Sequence, residues 1–203
     1  GDIDTPDTRR TTANPQHDRD TALLGKLVFQ PDGWQKHVFT LEQVDKESSV
    51  NLLSSRAPLP LGGTPAQQAA AVMDERAEST STRQRLTWDA RYQINTALAN
   101  EVRTVLGVQR ASARQLGTSD LYRNPDRVRD VFYEETTWQA GIQASQSTSL
   151  DNGWARKLTY GLDYQSADLS NLYTGINPLP PEVFPLKRFP DTRESTSAVY
   201  LQA

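Results

Sequence analysis

The sequence predicts an all-β protein, an antiparallel transmembrane β-barrel fragment of about seven strands, and three observations carry that expectation. Apolar residues alternate with polar ones over stretches of about ten residues, the period of a strand with one apolar face. The connections between these stretches alternate between short and long. Apolar residues make up only 36% of the 203, mean hydropathy is −0.66, and no run approaches the roughly 18 consecutive apolar residues of a spanning helix. A barrel strand needs apolar residues on one face only, so an entire barrel reads as hydrophilic on average.

In chain order, the first strand is expected over Ala22 to Phe29, closed by a tight Pro31-Asp32-Gly33 turn. The second, Gln35 to Asn51, is the least regular, with Phe39 and Leu41 on one face and Val38 and Val44 on the other. A long connection, Leu52 to Arg83, follows. Within it, Gln67 to Arg76 consists almost wholly of helix formers after Pro65, which predicts a short surface helix with Met73 on its buried side. The clearest alternation begins at Arg85. Leu86, Trp88, Ala90, Tyr92 and Ile94 share one face, and Arg85, Thr87, Asp89, Arg91 and Gln93 share the other.

A short turn near Asn95 to Asn100 leads to a strand over Glu101 to Ala113, and a long connection near Arg114 to Arg129 leads to another over Asp130 to Gln146. After a short Ser147 to Gly153 turn, Leu158, Tyr160, Leu162 and Tyr164 interleave with Lys157, Thr159, Gly161, Asp163 and Gln165. A long Ser166 to Arg193 connection and a last strand from Ser195 complete the chain. The long connections define extracellular loops roughly at 1–20, 52–83, 114–129 and 166–193. Trp34 and Trp154 directly follow short turns, where an aromatic girdle meets a membrane boundary. A soluble β-sandwich also alternates, but the polar faces here carry Arg, Lys and Asp in mid-strand, as a wet lumen does.

Composition narrows the function. A net charge of −3 and a pI near 5.4, without a basic run, argue against a nucleic-acid partner. The chain has no cysteine, so disulfides and thiolate chemistry are excluded. Two histidines without metal-ligand spacing, and no Ser-centred nucleophile elbow, predict that this is no enzyme. Gly1-Asp2-Ile3-Asp4 carries no initiator Met or leader, and Tyr200-Leu201-Gln202-Ala203 stops within a strand, so a longer parent chain is expected.

Several phrases resemble the barrel of TonB-dependent outer-membrane receptors, particularly the branch that takes up haem from haemoproteins. They are Ala13-Asn14-Pro15-Gln16 leading into Leu23-Leu24-Gly25-Lys26-Leu27, the Arg85-Leu86-Thr87-Trp88 strand, and Arg188-Phe189-Pro190-Asp191-Thr192 running into Ala198-Val199-Tyr200-Leu201-Gln202. The resemblance implies part of the wall of a larger plugged barrel in the bacterial outer membrane, embedded in lipid and lipopolysaccharide. It also implies that energy comes from the periplasmic TonB complex, and that the cargo is haem or a haemoprotein. No cofactor of its own is implied, and a ferric siderophore is the alternative cargo. The family's plug domain and TonB box are not in this chain, and its Phe-Arg-Ala-Pro motif has only a partial echo in Ser55-Arg56-Ala57-Pro58.

Haem capture calls for an axial His, Tyr or Met. His17, before the first strand, and Tyr122 and Tyr173, in the second and third long loops, are the candidate ligand-binding residues; no metal set is assigned. His37 lies near the first tight turn, away from the loops. Arg114, Arg123, Arg127 and Arg129, with Asp120, Asp126 and Asp130, form a charged loop surface able to contact propionates or a carrier, or to pair internally.

Overall fold

The computed structural model describes residues 13–149 and 155–203. It is a single antiparallel sheet of seven strands in sequence order: β1 (Gln16–Asp32), β2 (Gln35–Asn51), β3 (Val72–Gln93), β4 (Glu101–Leu121), β5 (Arg127–Ser149), β6 (Ala155–Ile176) and β7 (Thr192–Gln202). Among the described residues β1 and β7 each pair with one neighbour, so the sheet they form is open. The all-β, antiparallel, seven-strand expectation is met; closure into a barrel is not displayed. No helix among the described residues is long and apolar enough to cross a membrane.

The strands are longer than their apolar alternation suggests. β3 already begins at Val72, β4 continues through 114–121, β5 starts at Arg127 and β6 runs on to Ile176. Loop ranges 52–83, 114–129 and 166–193 therefore shrink to connections at 52–71, 122–126 and 177–191, and in the first range, 1–20, β1 has begun by Gln16. Strict short–long alternation fails with them, because 122–126 is shorter than the 94–100 connection. The cause is that ladder hydrogen bonds do not need apolar side chains. In the outer halves of the strands, charge pairs between neighbouring strands, such as Asp168 with Arg193 and Arg114 with Asp130, take over the side-chain contribution. Part of the Ser147 to Gly153 turn, and Trp154, lie outside the described residues.

The expected helix over Gln67–Arg76 is also corrected. A helix forms at Pro65–Ala69, started by a Thr64–Gln67 capping box with proline in its first turn. It stops because Met73 to Arg76 enter β3, where Asp74, Glu75 and Arg76 pair with Asp120, Ser119 and Thr118. Non-local pairing outweighs helix propensity here, and Met73 is a strand residue with no helix to bury.

Register sorts the side chains onto two unlike faces. One carries a continuous apolar field: Leu23, Leu27 and Phe29 on β1; Phe39 and Leu41 on β2; Leu86, Trp88 and Tyr92 on β3. It continues through Leu106 and Val108 on β4, Trp138 and Ile142 on β5, Leu158 to Tyr164 on β6, and Val199 and Leu201 on β7. No second layer covers it. Leu162 is 53% and Val199 81% exposed, and among the described residues the buried apolar ones are Ala90, Ala99 and Leu121.

The apolar field is oblique to the hydrogen-bonded rows. One row joins Leu23, Gln43, Gln84, Arg110, Thr136, Asp168 and Arg193. It is apolar on β1, yet on β7 the field begins only at Val199, six residues beyond Arg193 and six strand steps away from β1. In between, the upper margin goes in steps: Leu41, Leu86, Val108 and Trp138 share one row, two residues below that of Leu23, and the margin drops two more at Tyr164 on β6. The lower margin drifts the same way: the row of Phe29 reaches β6 at Leu162, where apolar residues persist to Leu158. Averaged from β1 to β7, about one residue (~3.3 Å) per strand step (~4.8 Å) is a slope of about 35°.

Candidate functional site

The opposite face is polar at the level of the apolar field. Arg103 is ion-paired with Asp89, its cross-strand diagonal neighbour, and Arg91 with Glu101 at 3.7 Å. Tyr200 lies across Gly161, its direct partner on β6, and its hydroxyl donates to Gln143 Oε1 on β5 at 3.2 Å. A Cβ on Gly161 would stand 2.5 Å from the Tyr200 hydroxyl and 2.6 Å from the Ile142 carbonyl, so the glycine makes room for the ring.

Further along the same face, the 177–191 connection folds back over the sheet. Tyr173 N–H donates to the Leu186 carbonyl at 2.8 Å, and Leu186 N–H returns a bond to the Tyr173 carbonyl at 2.9 Å. Asn171, 4% exposed, donates through Nδ2 to the Phe189 carbonyl and accepts the Arg188 N–H at Oδ1, both at 2.8 Å. Asn177 Nδ2 donates to the Asp126 carbonyl at 2.7 Å, and Phe189 meets Tyr133 edge-on. Gly175, at φ +141°, has no room for a Cβ, which would collide with the Val128 carbonyl.

Under this strap lies a cleft of about 620 Å³ between β3, β4, β5 and the 177–188 segment. Leu179, Pro181 and Phe184 form its apolar wall; Arg127, Arg129 and Arg188 reach it as cations and Glu75 and Glu182 as anions. Arg188 is ion-paired with Glu182. The Arg129 and Arg188 guanidinium groups lie 5.2 and 5.3 Å from the Tyr173 ring centroid.

The three candidate ligand residues do not converge. His17 is an exposed residue of β1 opposite Ser49, on the face that carries the apolar field lower down. Tyr122 opens the 122–126 connection, with Arg123 stacked 5.1 Å from its ring. Tyr173 belongs to β6 and not to a loop, and lies on the opposite face from His17, five strands away. Of the charged set, Arg114 bonds to Asp130 through Nε at 2.9 Å and Nη2 at 2.7 Å, and Asp126 accepts the Leu121 N–H. Among the described residues, no group of three or more His, Asp or Glu is arranged to hold a metal ion.

His37 sits at the turn end of the apolar face. Its ring stacks on Trp88 at 6.0 Å, and Nδ1 accepts from the indole N–H at 3.2 Å. With Trp34, Tyr92 and Phe29 beside it, an aromatic cluster marks that margin.

No family model matches the chain, and no curated protein matches it either.

The cleft escaped the sequence because it joins residues from β3 and β5 to a strap that returns from beyond β6. The only signal for it was the Arg127-Val128-Arg129 alternation, which puts two cations on one face of a strand.

Proposed function

We propose that these seven strands are part of the wall of an outer-membrane β-barrel, in an active-transport receptor that binds haem or a haemoprotein on its outer side and imports it with TonB-supplied energy. The observation that carries the barrel reading is the oblique, uncovered apolar field. In a closed barrel the strands tilt by about 35–45° to the axis, so the lipid boundary crosses the hydrogen-bonded rows at that angle. A slope of about 35° is what a horizontal membrane would impose on this register.

Three further features support it. Six residue rises, as from Leu86 to Tyr92, span about 20 Å along the strand, about 16 Å of height at a tilt of about 35°, and side chains at both margins add to it. The reverse face, with its Arg–Asp and Tyr–Gln contacts, suits a wet interior. The bare edges of β1 and β7 leave backbone donors and acceptors for further strands. The transport role and the cargo rest on the family resemblance of the Arg85–Trp88 and Arg188–Gln202 phrases.

Because the chain has no native cysteine, single cysteines report cleanly. Cysteines at Leu158, Tyr160, Leu162 and Tyr164 should react with a lipid-partitioning maleimide and resist a water-soluble one in intact outer membranes; those at Thr159, Asp163 and Gln165 should do the reverse. Uniform labelling by the water-soluble reagent along β6 rejects the barrel. For the transport role, the natural-length gene in an iron-starved haem auxotroph should support growth on haem or haemoglobin only with TonB. Growth on ferric siderophore alone replaces the cargo, and growth independent of TonB removes the active-transport reading.

A further inference from the structure

Just beyond the upper margin of the apolar field, and on the same face, stands Arg110, an exposed residue of β4. Among the described residues no carboxylate lies within 4 Å of its guanidinium, whereas Arg114 and Arg193, also on that face, are bonded to Asp130 and Asp168. Its direct partners in the sheet carry neutral donors, the Gln84 amide on β3 and the Thr136 hydroxyl on β5. The next side chains inward on this face are Val108 and, opposite it, Trp138, which is 56% exposed. That is the depth at which a long basic side chain lays its stem on apolar surface and keeps its charge in the polar layer.

Four residues inward on β4, at Leu106, the same face opens into a groove of about 500 Å³. Its floor is Ala140, a methyl between the larger side chains of its direct partners Leu106 and Tyr164. Trp88, Ile142 and Leu162 extend the lining, which is mainly apolar. A cation flanked by neutral donors, an exposed indole and an apolar groove thus follow one another down a single face.

We infer that this strip holds one lipid in a fixed pose, an anionic acylated phosphate ester with its phosphate on Arg110, Gln84 and Thr136 and an acyl chain over Ala140. The inference rests on the lipid-facing reading of this face. Bulk lipid tails are as apolar as the groove, so the groove fixes the pose and selects nothing by itself. Selection comes from the headgroup: a guanidinium forms paired, charge-assisted hydrogen bonds with phosphate oxygens, and the amide and hydroxyl beside it donate to those that remain.

The natural-length protein in detergent, titrated with dioleoyl phosphatidic acid or dioleoyl phosphatidylcholine, has its bound lipid counted by native mass spectrometry. One phosphatidic acid should bind ahead of all others and at least about tenfold more tightly than phosphatidylcholine. R110Q should weaken that binding about tenfold or more and R110K should restore part of it. A140L, which fills the groove and leaves the cation alone, should weaken the dioleoyl lipid and leave dihexanoyl phosphatidic acid unchanged. R156Q, at the other end of the same face, should change nothing. Equal affinity of wild type and R110Q, of wild type and A140L for the dioleoyl lipid, or of the two headgroups overturns the assignment, as does displacement of the lipid by inorganic phosphate. If the β6 cysteines label from water, the lipid-facing reading falls and this inference with it. If they label from lipid while R110Q binds as wild type does, only the lipid site falls.

Discussion

Placing an arginine at Leu162 separates a lipid-facing sheet from a water-facing one. Leu162 lies inside the apolar stretch of β6 between Leu158 and Tyr164, with Ile142 and Val199 as its row neighbours, and is 53% exposed. Nothing in the sheet would be displaced by a longer side chain, so the cost comes from the surrounding medium. Against lipid near the midplane, a guanidinium costs about 2–4 kcal/mol, a shift of roughly 30-fold to 1,000-fold in the folding equilibrium. Against water the same change belongs with surface substitutions, within about ±0.5 kcal/mol. Thr159→Arg is the matched control: it lies three residues away on the polar face, opposite Ser145 and Gln202, and should stay within about 0.5 kcal/mol. Denaturant titration of the natural-length protein in lipid vesicles, followed by tryptophan emission, reads both through the midpoint at unchanged slope. Equal midpoints for Leu162→Arg and Thr159→Arg would refute the assignment of faces.

Three other predictions follow from the polar face and the loops. Gly161→Ala should cost about 1–3 kcal/mol, since its methyl would press on the Ile142 carbonyl and the Tyr200 hydroxyl, whereas Tyr200→Phe should cost only about 0.5–1.5 kcal/mol for the bond to Gln143; denaturant midpoints rank the two. Asn171→Ala strands the Phe189 carbonyl and the Arg188 N–H, so exchange at the Arg188 amide and proteolysis within 177–191 should both rise by about tenfold or more, the rest of the sheet being unaffected. Asp74 lies well beyond the apolar field, which starts on β3 at Leu86, and hydrogen bonding from Arg56 holds its carboxyl below the usual carboxylate range. The unfolded chain binds that proton more readily, so the clamp between 52–57 and β3 is fully present above the ordinary carboxylate pKa and is lost only as pH falls through the lower folded value. Amide exchange at Ala57, which donates to Val72, should therefore stay slow at pH 5 and accelerate below the ordinary carboxylate range, and Asp74→Asn should remove that dependence.

What could be read from the residues was whatever alternation writes into them. Leu86 to Tyr92 and Leu158 to Tyr164 announced their strands because one face is apolar throughout, and strand centres of this kind were located by it. The outer halves were not. In 72–83 and 114–121 both faces are polar, so nothing in the pattern distinguishes a paired strand from a loop, and only the partner across the ladder decides. β2 was legible despite its mixed faces, since Val38 and Val44 are simply apolar residues on the polar side. Tyr173 falls within 166–176, where neither face is apolar throughout, so the pattern alone reads as a loop. The candidate trio His17, Tyr122 and Tyr173 rested on residue type alone, and residue type does not tell which of two faces a strand residue occupies.

The two faces and the two edges constrain each other. If the apolar field were covered by a second protein layer, its margins would follow the shape of that layer, with no reason to drift the same way along top and bottom. A planar lipid slab has that reason: both boundaries are parallel, so both must cut the register at the strand tilt. The same tilt requires the sheet to coil, and a coiled sheet with one face in lipid cannot leave the backbone groups of β1 and β7 bare within it, where each unsatisfied group would cost several kcal/mol. On the proposed barrel reading, slope and edges both call for closure by further strands. On that same reading the polar face is the inside, and the 177–191 strap, anchored through Asn171 and Tyr173, hangs into the passage and not away from it.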